Sequence, residues 1–183
     1  MTDTDWSEHY LKRGDPTKPT YYIIRRNAAL NGLFELYKIF AGHICRALWR
    51  GWLPVVDMQN YPNLYLPPEK FGKENSWEYY FEQPLRIGLE QAYGGENVIL
   101  SIGTSKIEHP DTSMAFYENK NNNLTEWRML VKWGFLKIKP ALLQEIYAVR
   151  QKLFAPNDRV LAVLLRGTDY IAGRPKGHTI PPP

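Results

Sequence analysis

The pattern that most constrains this chain is a strand, a long helix and a second strand in direct succession between Tyr21 and Asp57. Residues 21–25 are a short β-prone run that follows a polar opening broken by Gly14, Pro16 and Pro19. Over residues 30–49 the apolar side chains recur at helical spacing, with Leu33, Tyr37, Phe40, Ile44 and Leu48 on one stripe. Gly51 supplies a helix stop, and residues 53–57 form a second apolar run ending in a carboxylate. Such a unit makes its two strands parallel if they share a sheet, because the helix carries the chain back to the starting edge. Ligands of open α/β sheets bind beyond the carboxyl ends of the strands, so Asp57 is a candidate site residue.

The rest of the chain extends this α/β pattern. Residues 60–68 are too rich in Pro and Tyr for a helix, whereas 76–82 and 85–93 read as helices parted at Pro84. Residues 97–101 predict a third strand, and the polar stretch 104–122 suggests no single structure. Asn123 with Glu126 resembles a capping box opening a helix to Phe135, and Pro140 suits the first turn of a helix ending at Phe154. An apolar strand is expected over 159–165. These signals divide the chain into a polar, flexible opening (1–20), a domain (21–156) and the first strand and loop of another domain (157–183).

Composition narrows the classes of function. Of 183 residues, 44% are apolar and 23% charged, which suits a folded chain rather than a disordered one. The 6 Trp and 12 Tyr suit carbohydrate or nucleotide sites, although most such rings simply fill cores. The net charge of +4 is spread without a basic run, which argues against a nucleic-acid groove and remains compatible with a diphosphate-bearing substrate. Cys45 is the only cysteine, so no intrachain disulfide or cysteine metal cluster forms. No apolar stretch is long enough to span a membrane and the opening residues lack a signal-peptide pattern, from which a cytoplasmic protein is expected. Oligomeric state is left open.

The sharpest chemical signal is the sequence from Val160 onward, an apolar strand opening into a turn with Arg166, Gly167, Thr168 and Asp169, followed by Lys176 and His178. An arginine fork can hold two phosphate oxygens of a departing nucleoside diphosphate, Gly167 allows close backbone approach, and Thr168 and Asp169 add a donor and a partner for the arginine. A surface turn with an Arg–Asp pair is the plainer alternative. Glu78 and Glu82, four apart on an expected helix, would share one face, where either suits a base for a hydroxyl or a solvated charged side. His43 reads as a packing histidine, and the Asp3–Asp5 pair lies in the polar opening, away from any expected metal site.

The strand-end turn at Arg166 resembles the phosphate-binding motif of the fucosyltransferase-like glycosyltransferase superfamily, with Leu164 standing where that motif usually has a histidine. The stretch from Asn31 through Trp77, Glu78, Tyr79 and Tyr80 resembles the opening of bacterial members, Asn31 and Gly32 marking a turn before the long helix. This resemblance implies a Rossmann-like three-layer domain with a mainly parallel sheet, the N-terminal half of a GT-B fold, with a truncated donor domain. It implies transfer of a sugar from a nucleotide-diphosphate donor, GDP-fucose being the usual one, to a glycan acceptor, without metal or cofactor. Arg166 and Asp57 would be catalytic. Arg166, Gly167, Thr168, Asp169 and His178 would hold donor phosphate, and Asn31, Gly32, Asp57 and Glu78 would face the acceptor. Impaired transfer, or a non-catalytic carbohydrate-binding domain, is the alternative outcome.

Overall fold

A computed structural model describes residues 8–26, 32–103 and 128–161. The strand–helix–strand unit forms as its sequence dictates: β2 (Thr20–Arg26), α1 (Leu33–Trp49) and β3 (Leu53–Val56) follow one another, preceded by β1 (Glu8–Lys12). After two 3-10 turns, Pro68–Lys70 and Ser76–Tyr79, come α2 (Leu89–Gly94), β4 (Asn97–Gly103), a helical stretch at 128–132 (α3) and α4 (Pro140–Leu153). The fold is α/β, with four described strands in the order β1-β4-β2-β3. β2 is parallel to both β3 and β4, and β1 is antiparallel to β4.

Both faces of the parallel strands are buried. Tyr22, Ile24, Val56 and Ile99 pack against α1 through Leu36, Phe40 and Ile44, in a cluster that also takes in Trp77 and Phe81. Ile23, Val55, Val98 and Leu100 point the other way, where Ala92 of α2 with Ile87 and Leu89 covers them. This period of two on a sheet buried on both sides produces the nearly continuous apolar runs seen in the sequence. Leu36, Phe40 and Ile44 are fully buried, each contributing about 1.5–3 kcal/mol.

The end of α1 shows why Gly51 stops it. Gly51 has φ +70, its N–H donates to the Leu48 carbonyl, and the Trp52 N–H donates to the Ala47 carbonyl at 2.8 Å. That pair of bonds is a Schellman cap, which needs a left-handed residue where the helix ends. Trp52 then stacks on Tyr22 with ring centroids 5.3 Å apart.

Several local expectations change. The opening contributes a strand, because Glu8–Lys12 adds to β4 by backbone pairing although four of its five residues are exposed. Glu8 anchors it, accepting from Arg46 Nε at 2.7 Å and from the Tyr22 hydroxyl at 3.2 Å. That hydroxyl also lies 3.1 Å from His43 Nδ1, so the packing histidine sits in a buried polar chain. Residues 76–82 hold only the 3-10 turn Ser76–Tyr79 before Phe81 bridges Ile138, and the helix expected at 85–93 shortens to Leu89–Gly94. Pro84 begins a turn closed by the Arg86 N–H on the Gln83 carbonyl, and Arg86 takes φ 58. Of the strand expected over 159–165, residues 159–161 belong to no strand and 162–165 lie outside the described residues.

The chain divides into two compact units at Leu143 and Gln144. In the second, Ile146, Tyr147, Val149 and Leu153 of α4 are exposed, and no described helix is long and apolar enough to cross a membrane.

β3 is the outer strand of the described sheet, and its free edge is covered by side-chain amides rather than by another strand. Gln83 Oε1 accepts the Val56 N–H at 2.9 Å, while Gln83 Nε2 donates to the Val56 carbonyl at 2.9 Å. Asn75 Nδ2 donates to the same carbonyl at 2.7 Å. Sheet edges must be satisfied or shielded, and here an amide imitates the missing strand. Gln83→Ala leaves the buried Val56 N–H without an acceptor and is expected to cost about 2 kcal/mol, read as a lowered midpoint in denaturant unfolding.

Candidate functional site

The carboxyl ends of β2 and β3 meet at Asp57, the residue immediately after β3. Its N–H donates to the Ile24 carbonyl of β2 at 2.9 Å, which continues the parallel ladder one step and points the side chain into the interior. The carboxylate is 0% exposed and accepts six hydrogen bonds. Oδ2 takes Arg25 Nε at 2.7 Å, the Tyr93 hydroxyl at 2.6 Å and Asn60 Nδ2 at 3.0 Å. Oδ1 takes the backbone N–H groups of Gln59 and Asn60 at 3.0 and 3.1 Å, with Asn60 Nδ2 at 3.1 Å. A carboxylate offers about four lone-pair directions, so Asp57 is saturated.

Arg25 and Tyr93 complete a closed triangle with it. Arg25 Nη2 donates to the Tyr93 oxygen at 2.6 Å while that hydroxyl donates to Asp57. Burial opposes the charge of Arg25, but the hydrogen bond and charge of Asp57 outweigh it and hold the guanidinium pKa above its ordinary value. Burial, then the Asp57 contact, pushes the Tyr93 phenol well above its usual range. The triangle binds β2, the end of β3, the loop after it and α2 into one polar node.

An open cleft of about 730 Å³ adjoins this node. Asn60 and Tyr93 hold Asp57 and also line the cleft, together with Asn75, Glu78, Tyr79 and Lys139 among others. The loop between β3 and the Ser76 turn is pinned from inside. Gln59 and Gly72 exchange two hydrogen bonds of 3.0 Å, and the Ser76 hydroxyl donates to Asn63 Oδ1 at 3.0 Å. Lys139 arrives by an antiparallel bridge in which its N–H donates to the Tyr80 carbonyl and the Glu82 N–H donates to the Lys137 carbonyl, both at 2.9 Å. A smaller pocket of about 300 Å³ is also lined by Glu78, Gly88 and Lys139, together with Glu82 and Arg86.

Glu78 is held by the amides that cover the edge of β3. Its Oε1 accepts from Gln83 Nε2 at 2.9 Å and from Asn75 Nδ2 at 3.4 Å. Glu78 sits in a 3-10 turn and Glu82 beyond it, yet both line the smaller pocket. On the rim, the exposed Tyr79 hydroxyl donates to Glu74 at 2.7 Å, which lowers the Glu74 pKa, with Lys70 adding to the effect.

Of the residues singled out from sequence, Asp57 and Glu78 lie within one connected network, through Val56 and the two amides. Gly32 is the extended N-cap residue of α1, where its carbonyl accepts the N–H groups of Glu35 and Leu36, and it is not among the cleft residues. Asn31, Arg166, Gly167, Thr168, Asp169 and His178 lie outside the described residues, as do Asp3 and Asp5. Among the described residues no group of three or more His, Cys, Asp or Glu side chains is placed to hold a metal. Arg25 and Tyr93 were invisible as site residues because one reads as a strand end and the other as a helix position. Only the parallel register brings them together. The chain matches no protein-family model, no curated protein and no solved structure.

The raised Tyr93 pKa has a signed consequence. A phenol whose folded pKa lies above its unfolded value of about 10 adds stability that is complete below pH 10 and lost as the pH rises through the folded value. Stability should therefore fall with pH above 10. Tyr93→Phe should flatten that slope in chemical denaturation and, near pH 7, cost about 1–2 kcal/mol, because Asp57 and Arg25 each lose a partner.

Proposed function

We propose that this chain carries the acceptor side of a fucosyltransferase-like glycosyltransferase, which moves a sugar from a nucleotide-diphosphate donor, GDP-fucose in the first instance, to a glycan. The observation that carries this proposal is the cleft beside the carboxyl ends of β2 and β3, lined by amides, carboxylates, lysines and two tyrosines. Sugars present many hydroxyls and some apolar C–H surface, and a concave site with fixed polar groups and aromatic carbon suits them. Its position agrees with the general rule for parallel sheets. The finer architecture, a Rossmann-like three-layer domain forming the N-terminal half of a GT-B fold, is part of the proposal, supported by a parallel β3-β2-β4 core with apolar side chains on both faces.

In the reaction the acceptor hydroxyl attacks the anomeric carbon, its bond to the diphosphate oxygen breaks, and the hydroxyl proton passes to a base. Arg166, with Gly167, Thr168, Asp169 and His178, is assigned to the diphosphate on the strength of the motif they form. Asp57 is assigned a positioning part: with its lone pairs occupied it fixes Arg25, Asn60 and Tyr93 rather than receiving the proton. The absence of a metal step follows from the same resemblance.

The test is release of GDP from GDP-fucose by the whole chain, with and without a panel of glycans. Release that depends on a glycan and falls about 100-fold or more in Arg166→Ala is expected. Saturable glycan binding without release, unaffected by Arg166→Ala, would assign a carbohydrate-binding protein without transfer. Absence of both GDP release and glycan binding would overturn the proposal.

A further inference from the structure

The cleft has a chemical bias that goes beyond a general affinity for sugars. Among its described lining residues three carboxylates, Glu74, Glu78 and Glu90, face two ammonium groups, Lys73 and Lys139. Two of these charges are already engaged: Glu74 accepts from Lys70 and Tyr79, and Lys73 Nζ donates to the Glu69 carbonyl at 3.1 Å. Glu78 differs. Its Oε1 is fixed by two amide donors, while Oε2 has no hydrogen bond or ion pair among the described residues.

The orientation of that carboxylate is imposed from behind. Gln83 and Asn75 both donate to the Val56 carbonyl, and Gln83 Oε1 takes the Val56 N–H, so each amide must turn its N–H side toward Glu78. The backbone of the outer strand thus decides which polarity the amides show. They in turn hold one carboxylate oxygen and leave the other to a ligand. A preorganised acceptor of this kind takes hydroxyl donors without reorganisation, whereas an anionic group beside it meets a like charge.

From this we infer that the cleft takes a neutral saccharide, one of whose hydroxyls donates to Glu78, and discriminates against saccharides carrying sialic acid, uronic acid or sulfate. The inference rests on the acceptor-side proposal above and names the class of acceptor. Glu78→Gln is a stringent variant, because the amides behind it still require an accepting oxygen. The new side chain must keep its oxygen toward Gln83 and Asn75 and turn its NH₂ toward the ligand. The substitution therefore inverts the polarity of the cleft at one atom while keeping the fold.

The test is calorimetric titration of the full chain with N-acetyllactosamine and a panel of neutral oligosaccharides, each beside its sialylated, glucuronylated or sulfated counterpart, with unfolding midpoints as a check on folding. Wild-type protein is expected to bind neutral members at least about tenfold more tightly than their acidic counterparts. Glu78→Gln is expected to lose about tenfold or more on the neutral members and to narrow the gap, with its unfolding midpoint retained. Acidic saccharides binding as tightly as neutral ones to wild-type protein would overturn this inference and leave the acceptor-side proposal standing, as would neutral binding unchanged in the variant. Binding of no saccharide at all would remove both. The comparison within wild-type protein decides the matter even if the variant fails to fold.

Discussion

A buried carboxylate organises this molecule. Taking an ionised side chain out of water is costly unless opposite charge and hydrogen-bond donors replace the lost hydration. Asp57, with 0% exposure, meets that demand with Arg25, Tyr93, Asn60 and two backbone N–H groups. The donors come from three parts of the chain: the end of β2, the loop after β3, and α2. Satisfying one charge therefore sets the mutual positions of the elements that border the cleft. The arrangement suits a binding surface because its polar groups are locked by one another rather than free to reorient.

A second layer spreads this order outward. Val56, one residue before Asp57, turns its N–H and carbonyl to the open edge of the sheet, where Gln83 and Asn75 receive them. The same amides hold Glu78, and Asn75 Oδ1 also accepts the N–H groups of Met58 and Trp77. A solution to the problem of an exposed strand edge thereby becomes the support of a cleft carboxylate. Structure and proposed recognition share the same atoms here, so the stability of the edge and the affinity of the cleft are coupled.

The other end of the sheet is built on a different polar device. β1 buries little of its surface, and its place beside β4 depends on backbone pairing and on Glu8, which reaches Arg46 of α1 and the Tyr22 hydroxyl. Burial, followed by the charge of Glu8, drives the Tyr22 phenol well above its usual range, so it remains a proton donor in this chain of contacts. The Ser101 hydroxyl and His43 Nδ1 lie 3.3 Å apart at the far end. A strand held in this way leaves a weak trace in sequence, because no alternation of apolar residues marks it.

The sequence by itself determined the strand–helix–strand core, the stop at Gly51, the third strand and the position of Asp57 at a strand end. These depend on local periodicity, on turn chemistry and on runs of residues buried on both faces, all of which are written in consecutive positions. Tertiary structure alone decided that β1 joins the sheet, that residues 76–82 make a 3-10 turn rather than a helix, and that Arg25, Tyr93, Asn75 and Gln83 converge on Asp57 and Glu78. Those outcomes depend on hydrogen bonds between residues far apart in the chain, whose geometry exists only once β2, β3 and β4 are in register. Local propensity cannot encode a partner that arrives from another element, and for that reason the carboxylates could be picked out from sequence while what holds them could not.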